Sequence, residues 1–225
     1  MYDQIKGEIG KIRRKYIESA EEIVSGYNRE LSLSKDYEGR QLFELLQNAD
    51  DEAARSSGKV LITFDGKKLA VSNTGDAFSF RGVKSLLYPN ASPKKVHAKK
   101  IGCKGLGFRS ILTWSNVVTV ASTDFSIQFS KKYAIEFLKE ILEERPELKQ
   151  EIKALSHEQW PIATLTCPRL LKDSALVKGY STSIIMDCHE ELVWEIESQI
   201  KNLEFEELVF LPNLKEVEII CNEYH

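Results

Sequence analysis

The chain has 225 residues, 42% of them apolar and 29% charged, with a formal net charge of −3 at pH 7. That length and balance suit a globular protein with a substantial core, built as one large domain or two small ones. The small net charge removes any global electrostatic case for binding nucleic acid or an anionic membrane, and leaves only local basic patches to consider.

Ile5, Ile9, Ile12, Tyr16, Ala20, Ile23 and Tyr27 recur at intervals of three and four. That periodicity predicts one long N-terminal helix, within residues 1–30, carrying a single apolar stripe. The stripe either packs on the chain's own domain or forms a dimer contact. LSLSKDYEG then reads as a polar link, and a second helix is expected over residues 40–55, ending near Ser56, Ser57 and Gly58. KVLITFDG and KKLAVSN are β-rich runs joined around Asp65 and Gly66, a hairpin turn. A short helix is expected over FRGVKSLL. YPNASPKKVHAKKIGCKG, rich in lysine and without periodicity, reads as a long loop of the kind that is either functional or disordered.

GLGFRSILTW looks like a helix start, and NVVTVAST and FSIQFS like strands. YAIEFLKEILEE is helical and breaks near Pro146, and the charged ELKQEIKALSHEQW reads as a surface excursion. WPIATLTC and TSIIMDC are strand-like, ELVWEIESQIKNL is helical, and LKEVEIIC is a last strand. No internal repeat or low-complexity tract interrupts this order. Helices mixed with adjacent hairpins predict an α+β layered domain over residues 31–225, not a strictly alternating parallel sheet.

The four cysteines, Cys103, Cys167, Cys188 and Cys221, form no CxxC pair, and the four histidines are scattered. A structural zinc site is therefore not expected, and free thiols in a reducing cytosol are the plain reading. MYDQIKGEIGKIRRKY is charged throughout and lacks the apolar centre of a signal peptide. No apolar run is long enough to span a bilayer, so a cytoplasmic location is expected.

Three stretches carry candidate chemistry. In ELLQNADDEA, Leu42, Leu45, Leu46, Ala49 and Ala53 share a face, while Glu44, Asn48 and Asp51, at i, i+4 and i+7, share another with Gln47 alongside. An Asn oxygen is a hard ligand suited to magnesium, and a Glu one turn away can hold and deprotonate a water. A solvated polar stripe would look the same. VSNTGDAFSF ends a strand, and Asn73 and Gly75 form a tight turn that sets Asn73 at the sheet edge. IGCKGLGFRS holds Gly102, Gly105 and Gly107 with Lys104 between them, directly before a helix start. Open amides, a positive helix end and a lysine suit an anion. Neither a Walker A loop nor a dinucleotide fingerprint is present.

The order of these stretches resembles the GHKL ATPases, the group of DNA gyrase, the heat-shock-ninety chaperones, histidine kinases and MutL, and within it the sacsin-like and MORC-like branch. ELLQNADD is similar to the family's N-box, VSNTGDAF to its first glycine box, and IGCKGLGFRSIL to its lid and second glycine box. YSTSIIM is similar to the late Gly-Thr strand, and LEFEELVFLPNLKEVEI to a stretch that follows it in sacsin-like proteins.

The resemblance implies a Bergerat-type two-layer sandwich, with helices over one face of a mixed sheet, that binds ATP and magnesium. It casts Glu44 as the general base that orients water, Asn48 as the magnesium ligand, and Asp51 as support for the nucleotide end of the pocket. Gly102, Lys104, Gly105, Leu106, Gly107 and Phe108 would wrap the phosphates, and Thr182 would reach towards the base. Phosphoryl transfer asks mainly for positioning and charge neutralisation, which such a set supplies. No His precedes position 97, which argues against a kinase. Asn73 stands where the family has an Asp that accepts from the adenine amine, so its amide could accept from adenine or donate to guanine. Ala77 and Ser181 also replace family glycines.

By the same resemblance, the chain is expected to be the N-terminal module of a longer protein, with downstream domains, slow hydrolysis for want of a downstream cation, and a nucleotide-dependent homodimer within reach. The leading expectation is an ATP-driven conformational switch. The alternatives are a nucleotide-binding interaction module that never hydrolyses, and a nucleic-acid patch built from Lys94, Lys95, Lys99, Lys100 and Lys104.

Overall fold

The computed structural model describes residues 1–36, 38–53, 58–88, 107–203 and 208–221. The N-terminal stripe forms two helices, not one: α1 (Tyr2–Glu18) and α2 (Ala20–Asp36). Ser19 is extended, with φ −149° and ψ 119°, and bends the chain while the apolar stripe continues. Ile5, Ile12, Tyr16, Ala20 and Ile23 are all buried in the main core, so the stripe packs on its own domain. The expected polar link is helical through Asp36. Its serines disfavour helix in isolation, but α2 packs against the later helix Leu148–Leu155 and against residues 107–113, and that packing outweighs local propensity.

Helix α3 (Gln41–Glu52) buries Leu42, Leu45, Leu46 and Ala49, as its periodicity predicts. Strands β1 (Gly58–Phe64) and β2 (Lys68–Asn73) form the expected hairpin. Its turn is closed by Asp65, whose Oδ1 accepts from the Lys67 and Lys68 amides at 3.0 and 2.7 Å. Helix α4 (Phe80–Leu87) follows, with Ser79 as N-cap accepting from the Gly82 amide. Residues Gly107–Thr113 form a 3₁₀ helix where an α-helix start is expected. Then come β3 (Ser115–Ser122), β4 (Phe125–Ser130) and α5 (Lys131–Glu144), which is capped by Ser130.

The charged excursion lies largely at the surface, as a helix, α6 (Leu148–Leu155), whose Leu148 and Ile152, one turn apart, bury themselves in the core. WPIATLTC is not a strand. The fully buried Glu30 carboxylate of α2 accepts from the Thr164 and Leu165 amides at 2.5 and 3.1 Å, which pins a 3₁₀ turn (Thr164–Thr166) to the helices. The chain closes with β5 (Arg169–Leu170), β6 (Thr182–Cys188), α7 (Val193–Lys201) and β7 (Leu214–Cys221).

The strands form one seven-stranded mixed sheet in the order β5-β4-β3-β6-β2-β1-β7. Every neighbouring pair is antiparallel except β1 and β7. This is an α+β architecture, with α3 packed on β1 and α5 on β4. Val60, Ile62, Phe64, Leu69 and Val71 point to the helical side and are buried.

On the other side, Ser72, Ser183, Ala121 and Ser126 align across four strands as a row of small residues. That row lets residues 171–181 cross the sheet closely. Ser126 Oγ accepts from the Ala175 amide at 3.0 Å, and Ser183 Oγ accepts from the Val177 amide at 3.1 Å. Among the described residues, no helix is long and apolar enough to cross a membrane.

Candidate functional site

The helix period of α3 and the strand period of β2 and β6 set up the site. Leu45, Asn48, Ala49 and Glu52 of α3 form one wall of a cleft, and Val71, Asn73, Thr182 and Ile184 of the sheet form its floor. Ser79, Gly82 and Leu86 close the far side with Phe78 and Phe108. The interior is mostly apolar, with polar atoms at a few fixed points, as in sites for flat organic ligands.

Those polar points have defined directions. The Asn73 Nδ2 donates to the Thr74 carbonyl at 3.0 Å, and flipping the amide would set two oxygens against each other. Its Oδ1 is engaged by no hydrogen bond among the described residues, so Asn73 offers the cleft an acceptor. Its backbone is fixed too, since the carbonyl accepts from the Ser181 amide at 2.9 Å. Thr182 Oγ1 accepts from the Phe78 amide at 3.1 Å, which leaves its hydroxyl proton to donate.

Two glycines allow contacts that any side chain would block. Gly75 has φ +109°, and a Cβ there would lie 2.6 Å from the Glu52 carbonyl, the same carbonyl that accepts from the Asp76 amide. The turn after β2 is thereby locked onto the end of α3. A Cβ on Gly107 would lie 1.9 Å from Glu44 Oε2, so the Glu44 carboxylate rests directly against that backbone. Burial raises the Glu44 pKa, opposed in part by Arg40, whose Nη2 stands 4.0 Å from Oε1.

The structure thus brings together Glu44, Asn48, Asn73, Gly75, Gly107, Phe108 and Thr182. Asp51 is buried but does not line the cleft, where Glu52 takes its place. Gly102, Lys104, Gly105 and Leu106 lie outside the described residues, as do Lys94, Lys95, Lys99 and Lys100.

Sequence reading missed three supporting residues. Asp50 accepts from the Asn213 and Leu214 amides at 2.7 and 3.0 Å and from Asn213 Nδ2 at 3.0 Å, which ties α3 to the start of β7. Gln41 donates to Thr113 Oγ1 at 3.0 Å and accepts from Gln199 Nε2 at 2.8 Å, holding α3 between residues 107–113 and α7. The buried Arg109 donates to the Leu86 carbonyl at 2.6 Å and joins the Phe108 wall to the end of α4. Only Arg109 left a trace in the sequence, as a lone cation inside a small and apolar run.

Asn48 can offer a divalent ion one hard oxygen. Among the described residues, no cluster of three His, Cys, Asp or Glu side chains could hold a metal by itself. An ion there would draw its other ligands from water and from a bound anion, as magnesium commonly does.

No protein-family model matches the chain, and no curated protein matches it.

Proposed function

We propose that the chain is a Mg·ATP-binding module that acts as a nucleotide-gated switch, with Glu44 as the general base for slow hydrolysis. The carrying observation is convergence. Asn48, Asn73, Phe108 and Thr182, on four different elements, line one cleft, and Glu44 lies one turn from Asn48 against Gly107.

The chemistry of each part of the cleft supports that reading. A planar purine suits the apolar walls, and the Asn73 acceptor meets the exocyclic amine of adenine better than the carbonyl of guanine. The Thr182 hydroxyl can donate to a ring nitrogen. At the other end Asn48 would ligate the magnesium, which supplies charge neutralisation for the phosphates. Glu44, mostly buried and of raised pKa, would act as the base for a water brought beside its carboxylate.

A second reading, a nucleotide-binding module without turnover, is favoured by one contact. Glu44 Oε2 packs against the Gly107 backbone on one side, which narrows the space for a water beside it.

Thermal shift and calorimetry with ATP, GTP and a non-hydrolysable ATP analogue, with and without magnesium, test both readings. ATP at 100 times its dissociation constant should stabilise the fold by about 2.7 kcal/mol, and GTP should do so far less. Absence of any shift at millimolar ATP would sink the proposal. Glu44→Ala should keep binding and abolish turnover if the first reading holds, and should leave every activity unchanged if the second does.

A further inference from the structure

Strand β7 is the last strand of the sheet, bonded to β1 on one side and to no strand among the described residues on the other. An open strand edge presents a row of amides and carbonyls that invites a further strand, and proteins usually blunt such edges. Here the surroundings are apolar. Val209 and Phe210 are 64% and 71% exposed, and Ile219 and Ile220 are 42% and 47% exposed. Val209, Leu214 and Val217 also line a groove beside the strand.

The strand's register sorts its side chains. Val217 and Ile219 pair with Val60 and Ile62 on the helical side, while Glu216, Glu218 and Ile220 pair with Lys59, Leu61 and Thr63 on the other. Glu216 is already held by Lys59 Nζ at 2.5 Å. Lys215, at the register shift, donates to the Pro212 carbonyl at 2.7 Å. Glu218 forms no salt bridge among the described residues.

A second copy of the chain fits this edge poorly. Antiparallel pairing of two full-length β7 strands about a two-fold axis sets Glu218 opposite itself, or Glu216 opposite Glu218, depending on the register. Like charges directly opposite each other destabilise a sheet. Glu218 therefore disfavours a second copy at this edge and suits a strand of opposite charge.

We propose that the β7 edge, with the Val209–Phe210 surface beside it, is a docking site for an extended segment of another protein. The segment carries a basic residue opposite Glu218, flanked on both sides by apolar residues. Its backbone adds a strand to β7, its apolar side chains meet Val217 and Ile219, and its cation meets Glu218, which forms no salt bridge among the described residues.

The test titrates the isotope-labelled chain with acetyl-KVKVI-amide and with acetyl-EVEVI-amide, and follows amide shifts. The basic peptide should bind saturably, about tenfold more tightly than the acidic one, with shifts centred on residues 209–221. Glu218→Lys should reverse that preference, and a peptide methylated on its backbone nitrogens should not bind. Binding of both peptides alike, no binding at millimolar peptide, or shifts away from β7 would overturn the proposal. So would sedimentation of the chain alone as a dimer that Glu218→Lys abolishes.

Discussion

Glu44 and Gly107 occupy each other's space so closely that a single methyl group tests the site. Gly107→Ala would bring its Cβ to 1.9 Å from Glu44 Oε2, so the flexible Glu44 side chain must swing aside, at the lower end of the about 1–3 kcal/mol that overpacking costs. In a Glu44→Ala background, which vacates that space, the same exchange should cost much less. A double-mutant cycle by urea unfolding reads the difference, and simple additivity would contradict the contact. The raised pKa of Glu44 gives a second measurement. Its folded pKa lies above the ordinary glutamate value of 4.5, so the folded state binds the proton more tightly than the unfolded chain does. Stability from that proton is present in full below the unfolded pKa and is lost as pH rises through the folded one. Relative to Glu44→Gln, the wild-type chain should therefore lose stability between pH 4.5 and pH 7, read from urea midpoints at the two ends. A gap that stays constant with pH would remove burial as the cause.

Among the elements, α3 carries the greatest responsibility, because one helix holds the cleft wall, the Glu44–Gly107 contact and the anchor of β7. Asp50→Ala would leave two backbone amides and the Asn213 amide without their carboxylate, a loss on the order of 3 kcal/mol. Hydrogen exchange should quicken first along β7, with the central strands still protected. The two neighbouring aspartates also show where sequence reading stops. The 3.6-residue period separates the buried leucines of α3 from its polar stripe, and that much is visible in the letters. That Asp50 is the one to meet Asn213 and Leu214 depends on where residues 211–214 return to the helix, over 160 positions later, and no local pattern records that. The same limit applies to WPIATLTC, whose β-prone composition yields to a carboxylate arriving from α2. It applies again to Ser19, where one extended residue divides what the periodicity reads as a single helix. Periodicity and turn chemistry, by contrast, located the β1–β2 hairpin, α4 and β6 closely.

Across the whole molecule, the helices that precede α3 reach both sides of the cleft wall. Glu8 of α1 accepts from the Tyr88 hydroxyl at 2.8 Å and pairs with Lys84 of α4 at 3.5 Å, while α2 packs against residues 107–113. Lys11, the Tyr88 hydroxyl and Lys84 together hold the Glu8 carboxyl below its usual range, against the opposing effect of burial. Glu8→Gln should therefore weaken the attachment of α1 to α4, with faster hydrogen exchange in both helices; unchanged exchange would show the contact to be idle.

The row of small residues beneath the sheet has its own reach. Ser181, at the end of the segment that crosses that row, donates its amide to the carbonyl of Asn73, the residue proposed to meet the nucleotide on the opposite surface. A bulky exchange on the underside, such as Ala121→Leu, would lift the crossing segment and pull at the cleft floor from behind. Nucleotide affinity should then fall although no atom in the cleft has been replaced, and calorimetry on the folded variant would register it. The sheet is thin enough at this point that its back is part of its front.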